Sequence, residues 1–221
     1  MKQIPKETMK TVIIMTVLGI AATILVATVD VQPVGVQETN LGFATINTQF
    51  FARFGQNDTF YKISSAAGIV CFATAAGFGL FFLKQLIDRK SLSKVDRNLS
   101  ILIMLYILTA ALYLLFDKVL IINYRPVLRD KGLESSYPST HAVIAWVVMV
   151  SAIDQWNIYI KNEKLKTAAT ACSLVVLFIV IVTRMLAGVH WLTDIIGGMI
   201  IGDMLIAWYR YAASRKVESE K

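Results

Sequence analysis

The chain holds only two histidines, His141 and His190, and each stands among groups that could make it reactive. His190 and Asp194 are four residues apart, which stacks an imidazole over a carboxylate if a helix starts there. His141 follows Ser139 and Thr140, two hydroxyl residues at the mouth of an apolar run. Three cations complete the set: Lys118, Arg125 seven residues later, and Arg184. An ammonium and two guanidiniums can neutralise and orient a phosphate, the guanidiniums in bidentate fashion. A hydroxyl and the free N–H groups of a helix start add donors. An imidazole held by a carboxylate is an activated nucleophile or base, and a second imidazole can protonate a leaving group. Phosphate hydrolysis needs those parts. Each residue alone has a plainer reading, since a lone Lys118 or Arg125 is an interfacial anchor and a lone histidine a hydrogen-bonded structural group. The set as a whole would need five separate excuses.

The elements that must position these residues are apolar. The 221 residues are 56% hydrophobic and 17% charged, with a mean hydropathy of +0.61. A bilayer core takes about 20 apolar residues per helical span. Six stretches qualify or nearly so: Thr11–Val29, Ile63–Leu86, Leu99–Ile122, Ala142–Ile153 extended through Trp156 to Ile160, Ala168–Thr183 and Leu192–Tyr209. The sequence therefore predicts an all-α, six-transmembrane-helix bundle, one integral membrane domain over residues 1–221. The first span has too long an apolar core, and "LVATVD" too poor a cleavage site, for a signal peptide.

The net charge of +7 sorts by side of the membrane. With the N-terminus cytoplasmic, inner segments hold Lys2, Lys6, Lys10, Lys84, Arg89, Lys90, Lys94, Arg97, Lys161, Lys164, Lys166, Arg210, Arg215, Lys216 and Lys221. Outer segments hold Arg53, Lys62, Lys118, Arg125, Arg129, Lys131 and Arg184. The positive-inside rule then puts both termini in the cytoplasm, in a cell membrane. The basic excess is a topology signal and gives no reason to expect nucleic acid. The same topology brings every candidate site residue to the extracytoplasmic ends of spans three to six. If the third span's helix persists from Lys118 to Arg125, two turns on, both side chains point the same way, and Pro126 ends the run.

Several features lie outside that set. Phe43, Ile46, Phe50, Phe51 and Phe54 recur at helical spacing in the long outer connection, as an interfacial amphipathic helix or a re-entrant or packing segment. Asn57-Asp58-Thr59 matches a glycosylation acceptor, a pattern short enough to arise by chance. Gly198 and Gly202 form a small-xxx-small pair that admits a neighbouring helix. Asp203 lies roughly 13 Å below Asp194, too deep to share its chemistry, and is expected in an interhelical hydrogen bond. Cys71 and Cys172 read as packing residues, and Trp146, Trp156, Trp191 and Trp208 as interfacial anchors.

Lys118-x6-Arg125-Pro126, Pro138-Ser139-Thr140-His141 and Arg184-x5-His190-x3-Asp194 together resemble the three-part signature of the type 2 phosphatidic acid phosphatase superfamily. The resemblance implies a metal-independent phosphatase acting on a membrane lipid without a cofactor, on phosphatidate, phosphatidylglycerophosphate or a polyprenyl diphosphate. It implies that His190 is the nucleophile that becomes phosphohistidine, Asp194 its orienting carboxylate and His141 the acid. Lys118, Arg125, Ser139, Thr140 and Arg184 would bind phosphate. Thr140 stands where glycine is common and Thr183 where serine commonly precedes the arginine. A lipid-to-lipid phosphotransferase of the same superfamily, or a transporter, would use the same charges.

Overall fold

The computed structural model describes residues 4–34, 38–128 and 132–215. Lys2, Arg129, Lys131, Lys216 and Lys221 of the charge argument lie outside the described residues. Helix α1 (Met9–Thr28) starts where the Thr8 hydroxyl accepts from Thr11 N at 3.1 Å. A short antiparallel pair follows, β1 (Gln32–Val34) with β2 (Thr39–Leu41), Pro33 opposite Asn40. No sequence period marks it, because two three-residue strands are too short to show one. Helix α2 (Ala44–Phe54) stops at Gly55, whose φ of 61° suits glycine. Helix α3 (Asp58–Arg89) starts where the Asn57 side chain accepts from Phe60 N at 3.1 Å. Its 32 residues make it about 48 Å long. After a short 3₁₀ turn come α4 (Arg97–Lys118), α5 (Thr140–Tyr159), α6 (Glu163–Leu186) and α7 (Leu192–Ser214).

All of these except α2 are long and apolar enough to cross a membrane, giving six such helices among the described residues. Helices α5 and α7 form the centre. In each, 56% of the apolar window is buried, against at most 28% in the other four. Around them, side chains such as Val17, Ile69, Leu80 and Phe178 remain exposed, as a lipid-facing surface requires. Close packing at the centre depends on small residues, because lipid supplies no hydrophobic drive between helices. A methyl on Gly198 would lie 2.9 Å from Ala142 Cβ, and one on Gly202 2.8 Å from Trp146 Cδ1. The small pair thus seats α5 against α7. Helix α1 also packs on α7, with Trp208 Nε1 donating to Thr16 Oγ1 at 3.0 Å.

Asp203 makes the expected interhelical bond, accepting from Trp146 Nε1 at 2.8 Å. Buried Trp191 departs from the expected interfacial anchor, and the other tryptophans also make bonds inside the protein. Trp156 donates to Ser173 Oγ at 3.1 Å, and Trp191 is 5% exposed and donates to Tyr124 O at 2.6 Å. Their indole N–H groups tie helices and loops together, as those of Trp146 and Trp208 also do. Helix α2 packs on the start of α7 through buried Asn47, which bonds Thr193 Oγ1 (2.8 Å) and Thr193 N (3.1 Å). Ile46 and Phe54 stay exposed on its outer side.

Candidate active site

The third apolar run predicts helix as far as Ile122, but α4 ends at Lys118. Beyond it come β-branched Val119, Ile121 and Ile122, poor helix formers, and Asn123, whose side chain is used elsewhere. The Lys118–Arg125 helical register therefore does not exist. Lys118 instead points out, its side chain 73% exposed and 2.8 Å from Asp117. The loop after α4 folds back on itself: Arg125 N donates to Glu134 O (3.1 Å) and Ser136 N to Asn123 O (2.8 Å). This ladder sets Arg125, Ser135 and Ser136 beside the start of α5. The Arg125 guanidinium lies 3.0 Å from the Glu134 carboxylate.

Ser139 caps the start of α5 by backbone, its N donating to Asp194 O at 2.9 Å, and its buried Oγ has no hydrogen-bond partner among the described residues. His141 lies one residue into the helix, with Nδ1 2.6 Å from Arg184 NH2. A guanidinium can only donate, so Nδ1 accepts and the neutral ring carries its proton on Nε2. Arg184 is 1% exposed at the last turn of α6, also donating to Ser64 Oγ (3.2 Å) and stacking 5.3 Å from the Tyr61 ring centre.

His190 sits in the turn between α6 and α7. The chain reverses at Gly188 (φ 64°), where an added Cβ would strike Gly55 O at 2.0 Å, so only glycine lets the α2–α3 junction lie this close. The His190 ring is buried and its Nδ1 is 3.1 Å from both the carbonyl and the hydroxyl of Ser136. The carbonyl can only accept, so Nδ1 bears the proton and Nε2 has the free lone pair. Nε2 is buried without a hydrogen-bond partner among the described residues. Burial, then the charges of Arg184 and Arg125, hold the imidazole well below its ordinary pKa, so the ring is neutral.

Asp194 is fully buried and fully subscribed. Its Oδ1 accepts from Asn123 Nδ2 (3.1 Å), and its Oδ2 from Trp191 N (2.8 Å) and Ser136 Oγ (2.5 Å). The distance from His190 Nδ1 to Asp194 Oδ2 is 3.9 Å, so the two side chains share Ser136 in place of a direct bond. The expected helical stacking is absent, because α7 starts at Leu192 and leaves His190 in the preceding turn. The two side chains are linked through Ser136, and Asn123 completes the carboxylate's partners, neither of them marked by a motif in the sequence. A buried carboxylate demands donors, but sequence spacing does not say which ones answer.

A cavity of about 480 Å³ opens between α3, α4 and α5. One end is polar, with Asp117, Arg125, Ser135, Thr140 and His141; the rest is largely apolar, including Phe72, Phe116, Ile144 and Val148. The structure thus gathers His141, His190, Asp194, Arg125, Arg184, Ser139 and Thr140 at one end of the bundle and leaves Lys118 at the rim. Among the described residues no three His, Cys, Asp or Glu side chains form a group that could hold a metal.

The crystal structure described as that of the first transmembrane PAP2 type phosphatidylglycerolphosphate phosphatase, from Bacillus subtilis, superimposes with a TM-score of 0.62. The match covers 91% of this chain and 94% of that one at 17% identity, so it is a likeness of fold. No curated protein sequence matches significantly. The model of the PAP2 superfamily matches residues 43–218, a range that holds α2 to α7 and all three charged motifs. By that match this six-span membrane protein belongs to the PAP2 superfamily.

Proposed function

We propose that the chain is an integral membrane lipid phosphatase that removes phosphate from a monoester or diphosphate of a membrane lipid through phosphohistidine at His190. The observation that carries this reading is the neutral His190 ring, gripped at Nδ1 and left with an unpartnered Nε2, within the field of the Arg184 and Arg125 cations. In the first step Nε2 attacks phosphorus while Arg125, Arg184 and the N–H groups at the start of α5 hold the phosphoryl oxygens. The departing lipid oxygen takes a proton from His141. That proton transfer has a precondition. A neutral Nε2–H is a weak acid, so His141 must first gain a second proton at Nδ1, the atom Arg184 now occupies. A bound phosphate gives the guanidinium another acceptor and places negative charge beside the ring, which releases Nδ1 to be protonated. Water then cleaves the P–N bond, with His141 as base. The apolar length of the cavity suits the chains of phosphatidate, phosphatidylglycerophosphate or a polyprenyl diphosphate.

The site faces the extracytoplasmic side in this reading, supported by the asymmetry of basic residues. Cysteines placed at Leu133 and Lys90, labelled on intact cells with an impermeant reagent, should react only at position 133. The function is tested by phosphate release from those three lipids in detergent micelles, with EDTA present. Release from at least one is expected, together with a phosphoenzyme that His190→Ala abolishes. No release from any lipid, or turnover retained by His190→Ala, overturns the assignment.

A further inference from the structure

Asp194 is placed to orient His190 and yet does not reach it: 3.9 Å separates Nδ1 from Oδ2. Its two oxygens are already taken by Asn123, Trp191 N and Ser136 Oγ. The gap is filled by one buried residue. Ser136 is 2% exposed and offers His190 Nδ1 both its carbonyl and its hydroxyl, each at 3.1 Å. The same hydroxyl donates to Asp194 Oδ2 at 2.5 Å.

We propose that Ser136 is the positioning residue of this site, fixing the His190 tautomer through its carbonyl and relaying the Asp194 charge to the ring through its hydroxyl. The inference rests on the phosphohistidine reading for its effect on turnover, while its claim about the ring stands independently. Directionality supports it. The carboxylate takes the Ser136 hydroxyl proton, so the hydroxyl oxygen is left as an acceptor and faces Nδ1–H. Both donors, His190 Nδ1–H and Ser136 Oγ–H, then have an acceptor, whereas the reverse relay from a protonated Asp194 would turn the Nδ1 lone pair onto the Ser136 carbonyl. When Nε2 bonds phosphorus and the P–O bond to the lipid breaks, Nδ1 keeps its proton and the ring becomes cationic. The hydroxyl dipole, polarised by Asp194, meets that new charge with groups already in place. Ser136 is therefore worth more in the transition state than in the ground state, and its loss should appear in kcat.

Two measurements test this on the full-length protein in detergent. The first is the ¹⁵N spectrum of histidine-labelled protein, simple to read with two histidines; His141→Asn identifies the His190 signals. Wild type should show His190 protonated at Nδ1 and bare at Nε2. Ser136→Ala keeps the carbonyl, so Nδ1 should stay protonated while its shift moves toward a weaker hydrogen bond. The second is steady-state kinetics of Ser136→Ala, Ser136→Cys and Ser136→Thr. Alanine should lower kcat by about 10- to 100-fold, as loss of a group orienting a reactive histidine does, with KM within about threefold. Threonine, which keeps the hydroxyl, should recover more of kcat than cysteine. A wild-type His190 protonated at Nε2, or ring shifts unmoved in Ser136→Ala, overturns the proposal even if no variant is active. A kcat unchanged by alanine in an active protein overturns it too. If wild type hydrolyses no lipid phosphate, the functional reading fails and the spectrum alone decides the role of Ser136.

Discussion

The Asn123–Asp194 pair allows structure and chemistry to be separated by exchange. In Asp194→Asn the new amide has one acceptor where two faces need one. If its oxygen meets Trp191 N and Ser136 Oγ, its NH2 confronts the NH2 of Asn123. Asn123 cannot simply turn over, because its Oδ1 accepts from Gly42 N at 3.3 Å. If the amide turns the other way, its NH2 confronts Trp191 N. Either orientation leaves a buried donor unsatisfied, at a cost of about 1–3 kcal/mol. Adding Asn123→Asp removes the conflict. The carboxylate then at position 123 accepts from both Gly42 N and the amide NH2 at position 194, and the oxygen of that amide serves Trp191 and Ser136. Thermal unfolding in detergent should therefore show the single variant destabilised and the exchanged pair restored to within about 1 kcal/mol of wild type. Activity should not follow. The carboxylate now stands on the far side from Ser136, and kcat should remain at least about 100-fold low, as when a histidine loses its charge partner in a catalytic triad. A double variant as unstable as the single would refute the hydrogen-bond account. One with full kcat would show that a carboxylate beside Ser136 is irrelevant.

In kcat/KM, which reports the step that forms phosphohistidine, His141→Ala should lose about 10²–10⁴-fold on a lipid alkyl phosphate and far less on p-nitrophenyl phosphate, whose leaving group needs no proton; equal losses there, with turnover kept by His190→Ala, would reverse the two histidine roles. Glu134→Gln releases Arg125 from its carboxylate and should lower KM by about two- to fivefold, and a raised KM would show that Glu134 positions the guanidinium. The depressed basicity of His190 also has a sign in stability. An unfolded imidazole takes a proton near about pH 6.5, whereas the buried ring stays neutral, held so by burial and then by Arg184 and Arg125. Stability contributed by keeping the ring neutral is complete above about pH 6.5 and is lost as pH falls below it. His190→Gln should accordingly show a shallower fall in melting temperature from pH 7 to pH 5, and an unchanged slope would count against a neutral buried ring.

The six apolar helices and the positions of His141, Arg184, His190 and Asp194 are legible in the sequence, because span length and motif spacing are local properties. The Gly198–Gly202 contact and the Asp203 bond follow from the cost of polar and bulky groups inside lipid. Lys118 departs from expectation for a local reason: seven residues make two helical turns only where a helix continues, and β-branched Val119, Ile121 and Ile122 follow its end. Ser136 is invisible because its partners, His190 and Asp194, lie 54 and 58 residues away. One polar residue in a hydroxyl-rich loop looks like the next until a fold says which one lies under the carboxylate. Trp191 misleads similarly, since composition gives depth in a membrane but not the neighbour, here Tyr124 O, to which an indole turns.

The length of α3 has a consequence for where this protein works. Its apolar stretch from Ile63 to Leu83 spans 21 residues, about 31 Å, and Tyr61 and Ser64 near its N-terminal end hold Arg184. A thinner bilayer is met by tilting such a helix. Helix α3 packs along α6, which carries Arg184, so tilt shared by the two helices keeps the hold on the guanidinium, and only tilt of α3 alone would loosen it. Activity compared in bilayers of short and long acyl chains would show whether that hold responds to membrane thickness.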